Sequence, residues 1–299
     1  MRSLLLNAIA CSVVCMMPLL AQWCNAAGRP VEVSTILQGS NAAFDGLSVG
    51  PDDNIYVSTG RDARVLRVTP SGAVSVFCEG LGGSANGSGF DSEGNLYVAA
   101  YYSNEIYKVT PDGKKTVFAN GLDGPAGIWI DDQDYIFVSM FNGGKNSSVW
   151  RFDTDGRSNV YASIPEMTDV IGITGDNQGR IWVANWSTGR VWEVSADLGI
   201  QSVSGPILTN GNVNMIQYRD GSVYIPVVSM NHLVVKNPAS SEVRVFVGKV
   251  GLNRGRDEPA LSAEFTMPNA VAFSNDGTRM YVLERSGAIK KIEIDVDEN

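Results

Sequence analysis

Six segments of the chain repeat one order of small, apolar and turn-forming positions. Each opens on a small or polar residue, runs through apolar positions, breaks at an Asp, Asn or Gly turn and ends on an aromatic–aliphatic pair. Gly46-Leu47-Ser48-Val49 leads to Tyr56-Val57, and Gly87-Ser88-Gly89-Phe90 to Tyr97-Val98. Gly127-Ile128-Trp129-Ile130 leads to Phe137-Val138, and Gly172-Ile173-Thr174 to Trp182-Val183. Met215-Ile216-Gln217-Tyr218 leads to Tyr224-Ile225, and Ala270-Val271-Ala272-Phe273 to Tyr281-Val282. Short apolar runs bounded by turn residues predict strands. The pairs recur at steps of 41, 40, 45, 42 and 57 residues. A period near ~40 residues built from short strands predicts an all-β, six-bladed propeller.

Each repeat also offers a third strand, at residues 64–68, 105–109, 148–152, 190–194, 232–236 and 288–292. Turns such as Thr69-Pro70-Ser71-Gly72 and Thr110-Pro111-Asp112-Gly113 follow. Outer fourth strands are expected at 74–77, 116–119, 159–162 and 242–247. Too few residues follow Ile292 to complete the last blade. Residues 31–36 resemble an outer strand, so the N-terminal segment is expected to pair with 288–292 and close the ring, removing an open edge.

Arg2, an apolar run from Leu4 to Leu20 and the small-residue exit Asn25-Ala26-Ala27 describe a secretory signal peptide over residues 1–27, leaving a propeller over 28–299. An uncleaved anchor helix is the alternative. The reading places the protein outside the cytoplasm, periplasmic or secreted, with no membrane span after cleavage. Cys11, Cys15 and Cys24 lie in the leader, so Cys78 alone remains and no internal disulfide forms. Without the leader the chain keeps 22 basic and 32 acidic side chains, a net charge of −10. That balance argues against nucleic acid or anionic lipid as partner. A small-molecule ligand is expected, and a protein partner stays open.

In an up-and-down blade, one rim gathers the start of strand one and the loop leaving strand two. The residue before each leading position is Asp45, Asn86, Ala126, Ile171, Asn214 and Asn269. Four carry side-chain oxygens in one register, a pattern suited to a hard divalent cation such as Ca²⁺ or Mg²⁺. It is equally what a tight loop entering a strand selects. The loops leaving strand two bring Arg61, Tyr101, Tyr102, Phe141, Asn185, Trp186, Met230, His232, Glu284 and Arg285 to the same rim. Aromatic walls with a few polar groups describe a small-molecule pocket. The acids of the opposite hairpins, among them Asp52, Asp91, Asp131 and Asp176, read as turn formers. The charged stretch within 249–267, with Arg254, Arg256, Asp257 and Glu258, reads as a lid or a solvated insertion.

The run Pro268-Asn269-Ala270-Val271-Ala272-Phe273-Ser274-Asn275-Asp276-Gly277, ending in Tyr281-Val282, resembles a blade of the regucalcin and gluconolactonase family. Residues 251–268, with Ala263-Glu264-Phe265, also resemble an NHL repeat. The resemblance spreads over roughly residues 43–294 through short motifs shared with strictosidine synthase-like proteins and streptogramin lyases. It implies a divalent cation in the channel, with Asp45 standing for the family's first acid and Asn86 and Asn269 for its Asn ligands. Two departures matter. Asp replaces Glu at 45, and Asn214 stands where the family offers its catalytic Asp, so Glu284 or Asp169 would have to act as base. The expectation is an exported lactone or ester hydrolase. The alternatives are an NHL-type binding propeller, a streptogramin-lyase-like enzyme relying on the single histidine, His232, and a strictosidine-synthase-like enzyme.

Overall fold

The computed structural model describes residues 28–39, 44–141, 147–163, 168–195, 199–202, 212–240, 242–251 and 259–295. Among them the chain forms six four-stranded antiparallel sheets. Strand β1 (Arg29–Leu37) is followed by the first blade, β2–β5 (Gly46–Val49, Ile55–Ser58, Arg64–Val68, Val74–Glu79). The second blade is β6–β9 (Ser88–Phe90, Leu96–Ala100, Glu105–Val109, Lys115–Ala119), and the third β10–β13 (Pro125–Ile130, Ile136–Met140, Ser148–Phe152, Ser158–Ser163). The fourth is β14–β17 (Val170–Gly175, Arg180–Asn185, Val191–Ser195, Gly199–Ser202), and the fifth β18–β21 (Gln217–Arg219, Ser222–Val227, His232–Lys236, Val243–Val247). The sixth joins β22–β24 (Pro268–Phe273, Arg279–Glu284, Ile289–Asp295) to β1. This is a six-bladed β-propeller. The leader proposed over residues 1–27 lies outside the described residues. No helix among the described residues is long and apolar enough to cross a membrane.

Closure runs as the missing strand requires. β1 pairs antiparallel with β24 from Arg29↔Asp295 to Leu37↔Ile289, with irregularities after Pro30 and Thr35. β24 extends past residue 292 because Ile294, nearly buried, still packs inward and pairs with Pro30. Residues 259–265 support the same junction: the Ala260 N–H donates to the Val31 carbonyl at 3.2 Å, while Ala263 and Phe265 are fully buried. This half of the long connection is therefore a wedge in the core, neither lid nor solvated insertion. Its charged half, Arg254 to Glu258, lies outside the described residues.

The core lies between blades rather than within them. Each apolar cluster straddles one pair of neighbours, as Val57 and Phe44 do with Leu283 and Tyr281 across the closing junction. The aromatic of the repeated pair reaches into the next blade: Tyr56 meets Phe90 edge-on at 4.9 Å, Trp182 stacks on Tyr218 at 4.7 Å, and Tyr224 meets Phe273 at 4.8 Å. Alternation along strand two sends its aromatic to one neighbour and its aliphatic partner to the other face.

The leading glycines are explained by crowding at the axis. A Cβ on Gly46, Gly87, Gly127 or Gly172 would fall 2.2–2.5 Å from the carbonyl oxygen of Asn86, Ala126, Ile171 or Asn214 respectively, each in the next blade. Backbone meets backbone there, so no side-chain rotation relieves the clash. Gly87→Ala is expected to cost on the order of 1–3 kcal/mol, as overpacking does. The check is thermal unfolding. An unchanged midpoint would show that the inner ring has more slack than these distances allow.

At the opposite rim the hairpin acids form turns. Asp91, Asp131 and Asp176 each accept backbone N–H groups two and four residues on, from Glu93 and Asn95, Gln133 and Tyr135, and Gln178 and Arg180. Others latch neighbouring blades: Asp134 accepts from Ser92, and Asp53 from Asn275 and Arg279.

Candidate functional site

Because the inner strands start at one end of the axis, residues at or just before their first positions floor a cavity of about 340 Å³ there. Asp45, Asn86, Ala126, Ile171 and Asn214 all line it. Asn269, the sixth member of the register, is fully buried beneath them. Hydrogen bonds tie the four oxygen-bearing members together. The Asn269 Nδ2 donates to the carbonyls of Phe44 at 3.1 Å and Asp45 at 3.0 Å. Those two acceptors fix the amide, so its Oδ1 accepts from Asn214 Nδ2 at 2.5 Å. Asn214 Oδ1 is then left buried with no hydrogen-bond partner. A buried acceptor without a donor costs about 1–3 kcal/mol, which a bound ligand would recover. Asn86 donates from Nδ2 to Asp45 Oδ2 at 3.1 Å and accepts the Tyr101 N–H at 3.4 Å.

Among the described residues, Asp45 is the one acid of this lining. Burial pushes its carboxyl above the ordinary aspartate value, against the pull of the Arg285 guanidinium and of the Asn269 amide. A carboxylate so placed is a stronger base than a solvated one.

The walls come from the loops that leave the second strands. Tyr101 and Tyr102 lie in a short 3₁₀ turn after β7, which ends at Asn104 in the left-handed conformation, φ 57°. The Asn104 Oδ1 accepts the Gly124 N–H at 3.0 Å, pinning this turn to the entry of the third blade. Tyr101 meets Phe141 edge-on at 5.8 Å. Opposite, the Arg285 guanidinium stands over the Trp186 ring at 5.5 Å. Tyr101, Tyr102, Phe141, Trp186 and Arg285 thus join the floor residues in one cavity.

The remaining candidates lie outside that lining. Arg61 is exposed on the loop of the first blade. Asn185 is buried and organises its own turn, donating to the Thr168 carbonyl and accepting from Ser187 Oγ and the Thr188 N–H. His232 is 1% exposed. Its Nδ1 lies 3.0 Å from the Met230 carbonyl, which makes Nδ1 the protonated nitrogen, and burial holds its pKa down. Glu284 is buried, its Oε1 accepting the Thr266 N–H at 2.8 Å. Asp169 sits half-buried at φ 56°, its carbonyl accepting the Trp186 N–H. Among the described residues no group of three or more His, Cys, Asp or Glu side chains converges as a metal site. The apolar floor residues Ala126 and Ile171 carry no chemical signal in sequence, and only their register places them here.

No family model matches the sequence, and no curated protein matches it. Solved structures match it over most of its length. A gluconolactonase from Xanthomonas campestris is 12% identical with a TM-score of 0.69, covering 90% of this chain and 97% of its own. Virginiamycin B lyase from Staphylococcus aureus, in a catalytically inactive histidine-to-alanine form with quinupristin, is 13% identical with a TM-score of 0.65, covering 88% of this chain and 99% of its own. An auxiliary nutrient binding protein from Bacteroides ovatus is 13% identical with a TM-score of 0.72, covering 89% and 76%. At these identities the likeness establishes the shared propeller fold.

Proposed function

We propose that the protein is an exported hydrolase that opens a lactone or ester bound in the axial cavity, with Asp45 as its central acid. The observation that carries this reading is the floor itself: one carboxylate of raised pKa beside the unpaired Asn214 Oδ1, under aromatic walls. The export half rests on the leader pattern of residues 1–27.

The donors fit a loosely held divalent cation of the Ca²⁺ or Mg²⁺ type. Asp45 and the Asn214 Oδ1 would hold it, with the Asn86 oxygen as a third candidate, while Asn269 spends its oxygen on Asn214 and serves as a brace. Such an ion supplies Lewis-acid polarisation of a carbonyl. The protein's own groups do the rest. Asn86 orients the Asp45 carboxylate, which takes the proton of the attacking water. Tyr101, Phe141 and Trp186 seat the ring and keep bulk water out.

The lyase alternative is less well supported, because the chain's one histidine is buried and turned to the Met230 carbonyl. A binding role remains the second reading, favoured by the position of Glu284 and Asp169 outside the cavity lining. The test is a panel of lactones and esters assayed with added Ca²⁺ or Mg²⁺ and after chelation. Cation-dependent turnover is expected. Ligand binding with no turnover on any member of the panel would decide for the binding role.

A further inference from the structure

We propose that Arg285 is the specificity-determining residue of the cavity and that the ligand it selects carries a free carboxylate. This deepens the functional reading above and rests on the same cavity being the ligand site. Among the described residues, Arg285 and Asp45 are the charged groups of the lining. Some arginines here pair with acids, as Arg180 does with Asp176 and Arg279 with Asp53. Among the described residues Arg285 makes no ion pair within 4.0 Å, and it acts on Asp45 only across the cavity. The acid beside it in sequence is unavailable, since Glu284 turns inward to accept the Thr266 N–H.

The Arg285 backbone is held in place before any ligand arrives: its N–H donates to the Met267 carbonyl at 3.1 Å. The turn around it is closed by Gly287 N–H to Glu284 O at 2.8 Å and Glu284 N–H to Ala288 O at 2.9 Å. The Arg285 Cζ stands 5.5 Å from the centre of the Trp186 ring, and the fork of N–H donors on the guanidinium is there for an anionic group to take up. That fork matches a carboxylate in two parallel hydrogen bonds. The chain as a whole carries a net charge of −9, so an anionic ligand gains nothing from the general field and needs a local cation. The chemistry is that of a ring acid, with its carboxylate on Arg285 and its reacting carbonyl towards Asp45.

The experiment uses two ring ethers that cannot be hydrolysed, tetrahydropyran-carboxylate and tetrahydropyran-methanol, titrated calorimetrically into the full chain. The carboxylate is expected to bind roughly 10-fold or more tightly than the alcohol, as a charge-assisted bidentate contact implies. Arg285→Gln should level the two, and Arg285→Lys should restore part of the preference. Unaltered thermal unfolding of both variants confirms that the fold is intact. Equal binding of the two probes, no measurable binding of the carboxylate, or a preference that survives Arg285→Gln overturns the proposal. Carboxylate preference without lactone hydrolysis refutes the hydrolase reading alone. Hydrolysis of neutral lactones with no carboxylate preference refutes this one alone.

Discussion

A chain beginning at Gln38 is expected to lose the stability of the whole ring rather than fray at one edge. β1 supplies the outer strand of the sixth blade along its full length, from Arg29↔Asp295 to Leu37↔Ile289. Val33 is 2% exposed and belongs to the same cluster as Phe265, Ile292 and Ile294. Burying one such side chain contributes about 1.5–3 kcal/mol. Ile36 and Leu37 pack on the next cluster, and Thr35 Oγ1 accepts from the buried Lys290 Nζ at 3.0 Å. Losing these together removes several kcal/mol from a total of about 5–15 kcal/mol. It also leaves β24 as an open apolar edge and takes the Val31 carbonyl from the wedge at Ala260. The expected result is a fall in unfolding midpoint on the order of 10 °C or more, with aggregation. A synthetic peptide of residues 28–38 should restore part of it when added in excess. A truncated chain that unfolds at the wild-type midpoint would show that closure does not depend on β1.

That prediction was available from the sequence because closure is a matter of counting strands, and strands announce themselves through alternation. Where alternation fails, so does the reading. The outer strand of the fourth blade, Gly199–Ser202, has no apolar period and passed unnoticed; the third strand of that blade lies one residue later than expected, at Val191–Ser195. The site was legible to the same depth. Asp45, Asn86, Asn214 and Asn269 share a register because each lies at or just before the start of an inner strand, and the fold then gathers them at the axis. What no pattern conveys is which neighbour in a turn faces the cavity. Glu284 and Arg285 are adjacent, yet the acid is buried against Thr266 while the base stands over Trp186. Turn dihedrals and the wedge at 259–265 decide that, and both are tertiary facts. The crowding that demands glycine at 46, 87, 127 and 172 was likewise visible only as a repeated letter.

Asp45→Asn is expected to cut turnover severely while leaving the protein as stable as the parent or more so. The substitution keeps the shape and an oxygen to accept from Asn86 Nδ2. It removes the charge that burial opposes and that the proposed chemistry requires. Loss of a positioned base lowers the rate by about 10²–10⁴-fold. The stability side has a definite sign. The folded-state pKa of Asp45 lies above its ordinary value of 3.8, so the folded protein holds this proton more tightly than the unfolded chain. Well above the folded pKa both states are ionised and the parent bears the full cost of the buried charge. Below 3.8 both are protonated and the cost is gone. The stability advantage of Asp45→Asn should therefore be greatest near neutral pH and vanish on acidification through that window. Thermal unfolding of chelator-treated parent and variant across pH 3–8 reads this directly, and lactonase assays on the same samples read the chemistry. A variant that is markedly less stable at pH 7 would make Asp45 a structural brace of the floor. Full activity in Asp45→Asn would remove it from the mechanism. Reduced turnover joined to undiminished stability is the signature of a residue kept for function at the expense of the fold.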